Sequence, residues 1–285
     1  MIYLSLPYFY TNKAFNNFIH LYAKDYPDRL KIPFCIEYAY GSFNWSLWNG
    51  GINCNNGDLL LEPTLQTIFR SSNVPMRIDF SNCFLSETDY LDRHCETILQ
   101  ICKDSSNIID ISDLMLMKHI QNNINNNFHF SISEKINIFG LLNTDIINEI
   151  SEKNEIDLIT IIDLDLIKQC KNKNKFEVII GNNCFKCPID RQLLCAQEEQ
   201  QYQVSFSGQS KLLNCAKRNI NNDYLKQIKK YQKEGITHFK IAPEHVLPLD
   251  YTLFNLNIAK ELIKTEYLYD FLVDLRGASN EQLYR

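Results

Sequence analysis

Residues 156–164 read IDLITIIDL, from Ile156 to Leu164, and the interpretation of that run decides the fold. It is nearly continuously apolar. A strand buried on one face alternates apolar and polar residues, whereas a strand of a parallel sheet, covered on both faces, shows an unbroken apolar run. On its carboxyl side LIKQC, Leu166 to Cys170, reads as helix and is followed by a further strand, FEVII, Phe176 to Ile180. On its amino side a helix from Thr144 to Lys153 follows a strand from Phe128 to Ile132. Strand and helix therefore alternate on both sides of the run.

The alternation continues outward. Toward the amino terminus, Ile108 to Ile111, Val74 to Phe80, Ile32 to Tyr40 and Met1 to Phe9 read as strands. The helices between them span Asp113 to Gln121, Glu87 to Lys103, Leu59 to Arg70 and Asn12 to Lys24. Toward the carboxyl terminus come a helix from Asn222 to Lys233, an eighth strand from Thr237 to Ile241 and a closing helix from Tyr251 to Arg276. Eight such units predict a TIM-like (β/α)8 barrel formed as a single domain over residues 1–285. An open doubly wound sheet is the competitor, but the first strand lacks the dinucleotide-binding fingerprint.

Composition agrees with a globular chain that folds alone: of 285 residues, 45% are apolar and 22% charged. The net charge of −5 gives no general attraction to nucleic acid or to an anionic membrane. The start, MIYLSLPYFYTNKAF, lacks the features of a secretion signal, and no run approaches the ~18 apolar residues of a membrane span. A cytoplasmic protein with no membrane attachment is expected. In that compartment ten cysteines imply buried thiols, a metal site or both.

The segment 182–216, inserted after strand seven, concentrates four of those cysteines: Cys184, Cys187, Cys195 and Cys215, spaced C-x2-C-x7-C-x19-C. A C-x2-C turn brings two sulfurs onto one ion, and two later thiols can close a tetrahedral set. Spacing leaves open zinc, an iron–sulfur cluster, or four unrelated buried thiols. Cys95 and Cys102, by contrast, fall on the apolar stripe of a helix and are expected in the core.

Other candidates lie at or near strand ends. The loop GSFNWSLWNGG, Gly41 to Gly51, carries Trp45, Trp48 and Asn49, which either line a pocket or anchor the loop on the barrel rim. In VPMRIDF, period two puts Arg77 and Asp79 on one face, the interior of a barrel, where Arg77 pairs with Asp79 or meets an anionic ligand. Asn82 follows that strand. Asp163 ends the sixth strand and either serves acid–base work or caps the next helix. The eighth strand and its sequel supply His238, Lys240, Glu244 and His245. Arg77, His238, Glu244 and His245 are the candidate catalytic groups, with Trp45, Trp48, Asn49, Asn82, Asp163 and Lys240 lining the substrate pocket.

The cysteine insertion, the stretch SFSGQS from Ser205 to Ser210 and the terminal G-x-x-HFKI of Gly235 to Ile241 resemble the collagenase-like peptidase superfamily. So does the Trp48-Asn49-Gly50 loop. That group includes oxygen-independent hydroxylases of anaerobic ubiquinone synthesis and of RNA modification. The resemblance implies a barrel carrying a 4Fe-4S cluster on Cys184, Cys187, Cys195 and Cys215, with hydroxyl oxygen drawn from a donor such as prephenate rather than from O2. The chain departs from the family in following FKI with Ala242-Pro243-Glu244-His245 where a Glu-Gly-Arg turn is usual, and in its tight C-x2-C pair.

Three functions stand against one another. The first is an iron–sulfur enzyme performing hydroxylation or related redox chemistry on a small or carrier-linked substrate. With four cysteine ligands the iron is coordinatively full, so the cluster then relays electrons or binds a donor beside it. The second is a non-catalytic iron–sulfur or zinc subunit that pairs, as a homo- or heterodimer, with a related barrel protein. The third is a peptidase true to the family's label, for which no nucleophile–base pair is visible.

Overall fold

A computed structural model describes residues 1–43, 46–49, 62–103, 106–125, 127–139, 143–161, 164–181, 223–242 and 251–283. Its strands are β1 (Ile2–Pro7), β2 (Phe34–Gly41), β3 (Met76–Phe80), β4 (Ile108–Ile111), β5 (His129–Ile132), β6 (Ile156–Ile161), β7 (Phe176–Ile180) and β8 (His238–Ile241). Each pairs in parallel with the next, and β8 returns to β1, closing the barrel. The (β/α)8 architecture expected from the alternation is therefore present.

Helices α1 (Lys13–Asp25), α2 (Glu62–Arg70), α3 (Arg93–Cys102), α4 (Leu114–Asn123), α5 (Thr144–Ser151), α6 (Leu164–Gln169) and α7 (Tyr224–Gln232) stand between successive strands. After β8 come α8 (Tyr251–Leu262) and α9 (Leu268–Leu283). Side-chain caps set several starts: Asp92 accepts from Cys95 N, Asp113 from Met115 N and Leu116 N, and Asn143 from Ile146 N. The Asp92 cap also splits the single helix expected over Glu87–Lys103 into a 3-10 turn, Glu87–Leu91, and α3. Asn12 caps no backbone group with its side chain. It exchanges two amide hydrogen bonds with Asn255, at 2.7 and 2.9 Å, tying α1 to α8.

The closing helix divides as well. Ile263 leaves α8 to bridge Leu30, and a 3-10 turn, Thr265–Tyr267, leads into α9. Phe271 of α9 then packs its ring against Phe18 at 5.2 Å and Tyr22 at 4.8 Å, burying the apolar stripe of α1. Cys95 and Cys102 are buried, as their place in the helical stripe predicts, and burial pushes the Cys102 thiol up to about 12. No helix among the described residues is long and apolar enough to cross a membrane.

The main hydrophobic core lies between barrel and helices, where Leu4, Ile78, Ile111, Ile132, Ile161 and Phe239 are fully buried. The barrel lumen is different. Its inward positions include Ser5, Arg77, Asp79, Asp110, Ser131, Thr160, Glu177 and Lys240, all buried. Barrels of this class ordinarily fill the lumen with layers of bulky branched residues. Here hydrogen bonds and ion pairs fill much of it.

Two irregularities adjust the register. Between β1 and β2 the pairing steps from Leu4↔Ile36 to Ser5↔Tyr38, and between β5 and β6 from Phe130↔Ile156 to Ser131↔Leu158. The residues skipped are Glu37 and Asp157. Each turns its carboxylate to a histidine: His238 Nδ1 lies 2.7 Å from Glu37 and His129 Nδ1 lies 2.8 Å from Asp157. Re-aiming a side chain is what a bulge does.

Candidate functional site

Arg77 organises the lumen. Its Nη1 donates to Glu177 Oε2 at 2.5 Å, and its Nη2 donates to Asp110 Oδ1 and Thr160 Oγ1, both at 2.8 Å. Ser5 donates to the other Glu177 oxygen at 2.6 Å, and Ser131 donates to Asp110 at 2.7 Å. The Arg77 partners seen are thus Asp110 and Glu177, while Asp79 accepts from the backbone and hydroxyl of Ser81. This corrects the expected Arg77–Asp79 pair. Asp79 lies one pleat repeat higher on the same strand, whereas β4 and β7 bring carboxylates to the guanidinium itself.

The network rises to the carboxyl end through Lys240. Its Nζ is 3.2 Å from Asp110 Oδ2 and 3.2 Å from Glu134 Oε2, and it lies 4.7 Å from the centroid of the Tyr40 ring. Tyr40 donates to the carbonyl of Ile241 at 2.5 Å. Glu134, just past β5, is the most exposed carboxylate of the set.

Each charge is held by its neighbours. Burial alone would raise the Asp110 carboxyl, but Arg77 and Lys240 outweigh it and hold it down to about 2. Glu177 is lowered in the same way, burial being overcome by Arg77, Lys240 and the Ser5 hydroxyl. Burial would lower Lys240, but Asp110 and Glu134 outweigh it and raise the ammonium above its ordinary range. Lys240 is therefore a fixed cation at neutral pH, suited to binding and orienting rather than to nucleophilic attack.

Tyr8 marks the same end. Directly after β1 the chain turns through it at φ 64°, a left-handed conformation that is costly for a bulky side chain. Its ring is held against Tyr251 at 4.9 Å and Phe254 at 5.7 Å.

The other expected residues divide three ways. Trp48 is fully buried; its Nε1 donates to Asp89 O at 2.7 Å and its ring meets Phe80 edge-on at 5.3 Å. Asn82 N and Nδ2 donate to Trp48 O at 3.0 Å and Leu47 O at 2.6 Å, and Asn49 Nδ2 reaches Phe43 O at 3.4 Å. These three follow the carboxyl ends of β2 and β3 as expected, and the contacts seen fasten loop to rim.

His238 stands at the other end of the barrel, as the first residue of β8, stacked on Tyr3 at 4.7 Å and paired with Glu37. It shares the inward face of Lys240 but lies about 7 Å lower, one pleat repeat. It therefore does not reach the mouth. Trp45, Asp163, Glu244, His245 and Cys184, Cys187, Cys195 and Cys215, with the insertion itself, lie outside the described residues.

Asp110, Glu177, Glu134 and Tyr40 complete the site without having been singled out from sequence. The signal for two of them was present: Asp110 in IIDI and Glu177 in FEVII are charges inside apolar strands, the same anomaly as Arg77. A separate cavity of about 680 Å³, lined by Gln66, Arg70, Arg93, Glu96 and Gln100 among others, opens between α2 and α3, away from the lumen.

Fold and site together define a (β/α)8 barrel with an ion-paired, hydrogen-bonded lumen. Among known proteins, no family model, no curated protein and no solved structure matches the chain.

Proposed function

We propose that the chain is an enzyme working at the carboxyl mouth of the barrel, over Lys240, with an iron–sulfur cluster held by Cys184, Cys187, Cys195 and Cys215. The observation that carries this is the position of the insertion in the chain. Strand β7 ends at Ile180, and the chain is described again at Asp223, just before α7 and then β8. The cysteine segment therefore departs from the carboxyl end of the strand adjoining Lys240, the face on which such barrels carry their chemistry.

Four thiols in one connection fit a 4Fe-4S cluster, and fit zinc equally by donor type. Among the described residues no three His, Cys, Asp or Glu side chains are grouped to hold a metal ion. The described cysteines are buried or half-buried singly, so the 184–215 set is the natural donor set of this chain. When bound, such a cluster supplies electron transfer. By its resemblance to the oxygen-independent hydroxylases, the chain would use it in hydroxylation or related redox chemistry on a small or carrier-linked substrate.

The chain's own residues then have defined tasks. Lys240, kept protonated by Asp110 and Glu134, orients a hydrogen-bond acceptor of the substrate. Glu134 accepts a hydrogen bond at the rim. The Arg77–Glu177 pair holds Asp110 in place beneath them.

Anaerobic purification followed by iron, sulfide and zinc analysis tests the proposal. About four irons per chain, lost in a Cys187→Ser variant, supports it. About one zinc and no visible chromophore turns the reading to a structural site or a partner subunit.

A further inference from the structure

Among the described residues, two buried hydroxyls at the mouth lack partners. Ser42 stands two residues past Tyr40 and Ser112 two past Asp110, so each continues the inward alternation of its strand beyond the sheet. Both are more than nine-tenths buried, and neither Oγ makes a hydrogen bond. Buried hydroxyls in native proteins are nearly always paired, and an unpaired one calls for a ligand or a water. In barrel order β3 lies between them, presenting Asp79 and Ser81 on the same face, and β5 follows with Ser133. All four serines are buried, so an arc of hydroxyls runs over β2 to β5.

Charge narrows what the arc accepts. Among the described residues the carboxylates of Asp79, Asp110, Glu134 and Glu177 outnumber the cations Arg77 and Lys240, and counting the buried Lys135 still leaves an acidic excess. An anion entering here meets net repulsion at low dielectric. An uncharged molecule bearing several hydroxyls meets none: it can donate to Glu134, accept from Lys240 and pair with Ser42 and Ser112 in either sense. We propose that the mouth over β2–β5 binds an uncharged polyhydroxylated molecule, a sugar or polyol, whose hydroxyls pair with Ser42 and Ser112. This rests on the reading of the carboxyl mouth as the working site and is independent of the metal held by the cysteines.

The test is saturation-transfer NMR on the full chain with myo-inositol and glucose as probes, against citrate and inorganic phosphate. Signal from at least one polyol, and none from the anions, is expected. A Ser42→Ala/Ser112→Ala variant should weaken polyol binding roughly tenfold, the loss of about two neutral hydrogen bonds. Its thermal midpoint should be unchanged or raised, since the substitutions remove unpaired buried hydroxyls. Preferential binding of citrate or phosphate, equal polyol signal in the variant, no polyol signal at tens of millimolar, or a clear fall in midpoint would each overturn the assignment. Because polyol binding is read whatever the metal content, its failure is distinguishable from a failure of the cluster proposal.

Discussion

Arg77 and Glu177, one hundred residues apart in sequence, meet inside the barrel at 2.5 Å with neither side chain open to solvent. The pair joins β3 to β7 across the lumen, and through Asp110 it joins both to β4. A buried ion pair is weak evidence of net stabilisation, but removing one member leaves an uncompensated charge in a low-dielectric interior. Arg77→Met should therefore lower stability by about 3–5 kcal/mol in urea unfolding. Arg77→Met/Glu177→Leu should lose less than the sum of the two single changes, with a coupling of about 0.5–3 kcal/mol. Simple additivity would show that the two side chains do not act as a unit.

Acid sensitivity follows from Asp110. Its folded value of about 2 lies below its ordinary 3.8, so the stability it contributes is full above the ordinary value and is lost as pH falls from about 4 toward about 2. The difference amounts to about 2 kcal/mol. Glu177, also lowered, adds loss in the same acid window. Lys240 is raised, so its contribution is full below its ordinary 10.5 and is lost only as pH rises through the higher folded value. Thermal midpoints across pH should show an acid limb that is shallower in Asp110→Asn, and an alkaline limb that is shallower in Lys240→Met. Identical limbs in wild type and variants would contradict the assignments.

Trp48 fastens the loop after β2 to the turn after β3. Trp48→Phe should cost about 1–3 kcal/mol, because the Asp89 carbonyl loses its donor in a partly buried place. Trp48→Ala should cost about 3–5 kcal/mol through the cavity it leaves. A Trp48→Phe variant as stable as the wild type in urea unfolding would mean that the hydrogen bond contributes nothing.

Gly181 and Gly235 separate backbone strain from collision. Both have positive φ, 87° and 85°, but a Cβ at Gly181 would meet the Tyr224 ring at 2.5 Å, while one at Gly235 meets nothing within 4 Å. Gly235→Ala should cost about 1–2 kcal/mol from the left-handed conformation alone. Gly181→Ala should cost clearly more. Similar thermal midpoints for the two variants would refute the contact with Tyr224.

Thiol reactivity should follow burial. Burial raises Cys95 and Cys102 far from their ordinary range, and both should resist iodoacetamide in the native chain. Cys83, half-buried, should label faster. Peptide mass spectrometry reads each site separately, and rapid native labelling of Cys102 would place it outside the core.

The strands and their order were legible because each inner strand is a short apolar run between polar segments, as IDLITIIDL shows. Helix ends were less so. Asp92 looks like one more polar residue within a long amphipathic stretch, and only its capping of Cys95 N divides that stretch. The site was half legible. Arg77 and Lys240 stood out as charges within strands, and Asp110 and Glu177 carry the same signal. His238 shares the face of Lys240 by alternation, but its place near the start of the strand, readable in THFKI, already put it toward the amino end of the barrel.

Sequence alone determined the number of strands, their parallel arrangement and the face that Arg77 and Asp79 share, since period two belongs to each strand by itself. The tertiary structure decided which inward charges meet. The partners of Arg77 come from β4 and β7, and their heights depend on how the strands tilt and stagger as the sheet closes. Register slips at Glu37 and Asp157 shift those heights further, and no local run of residues records them.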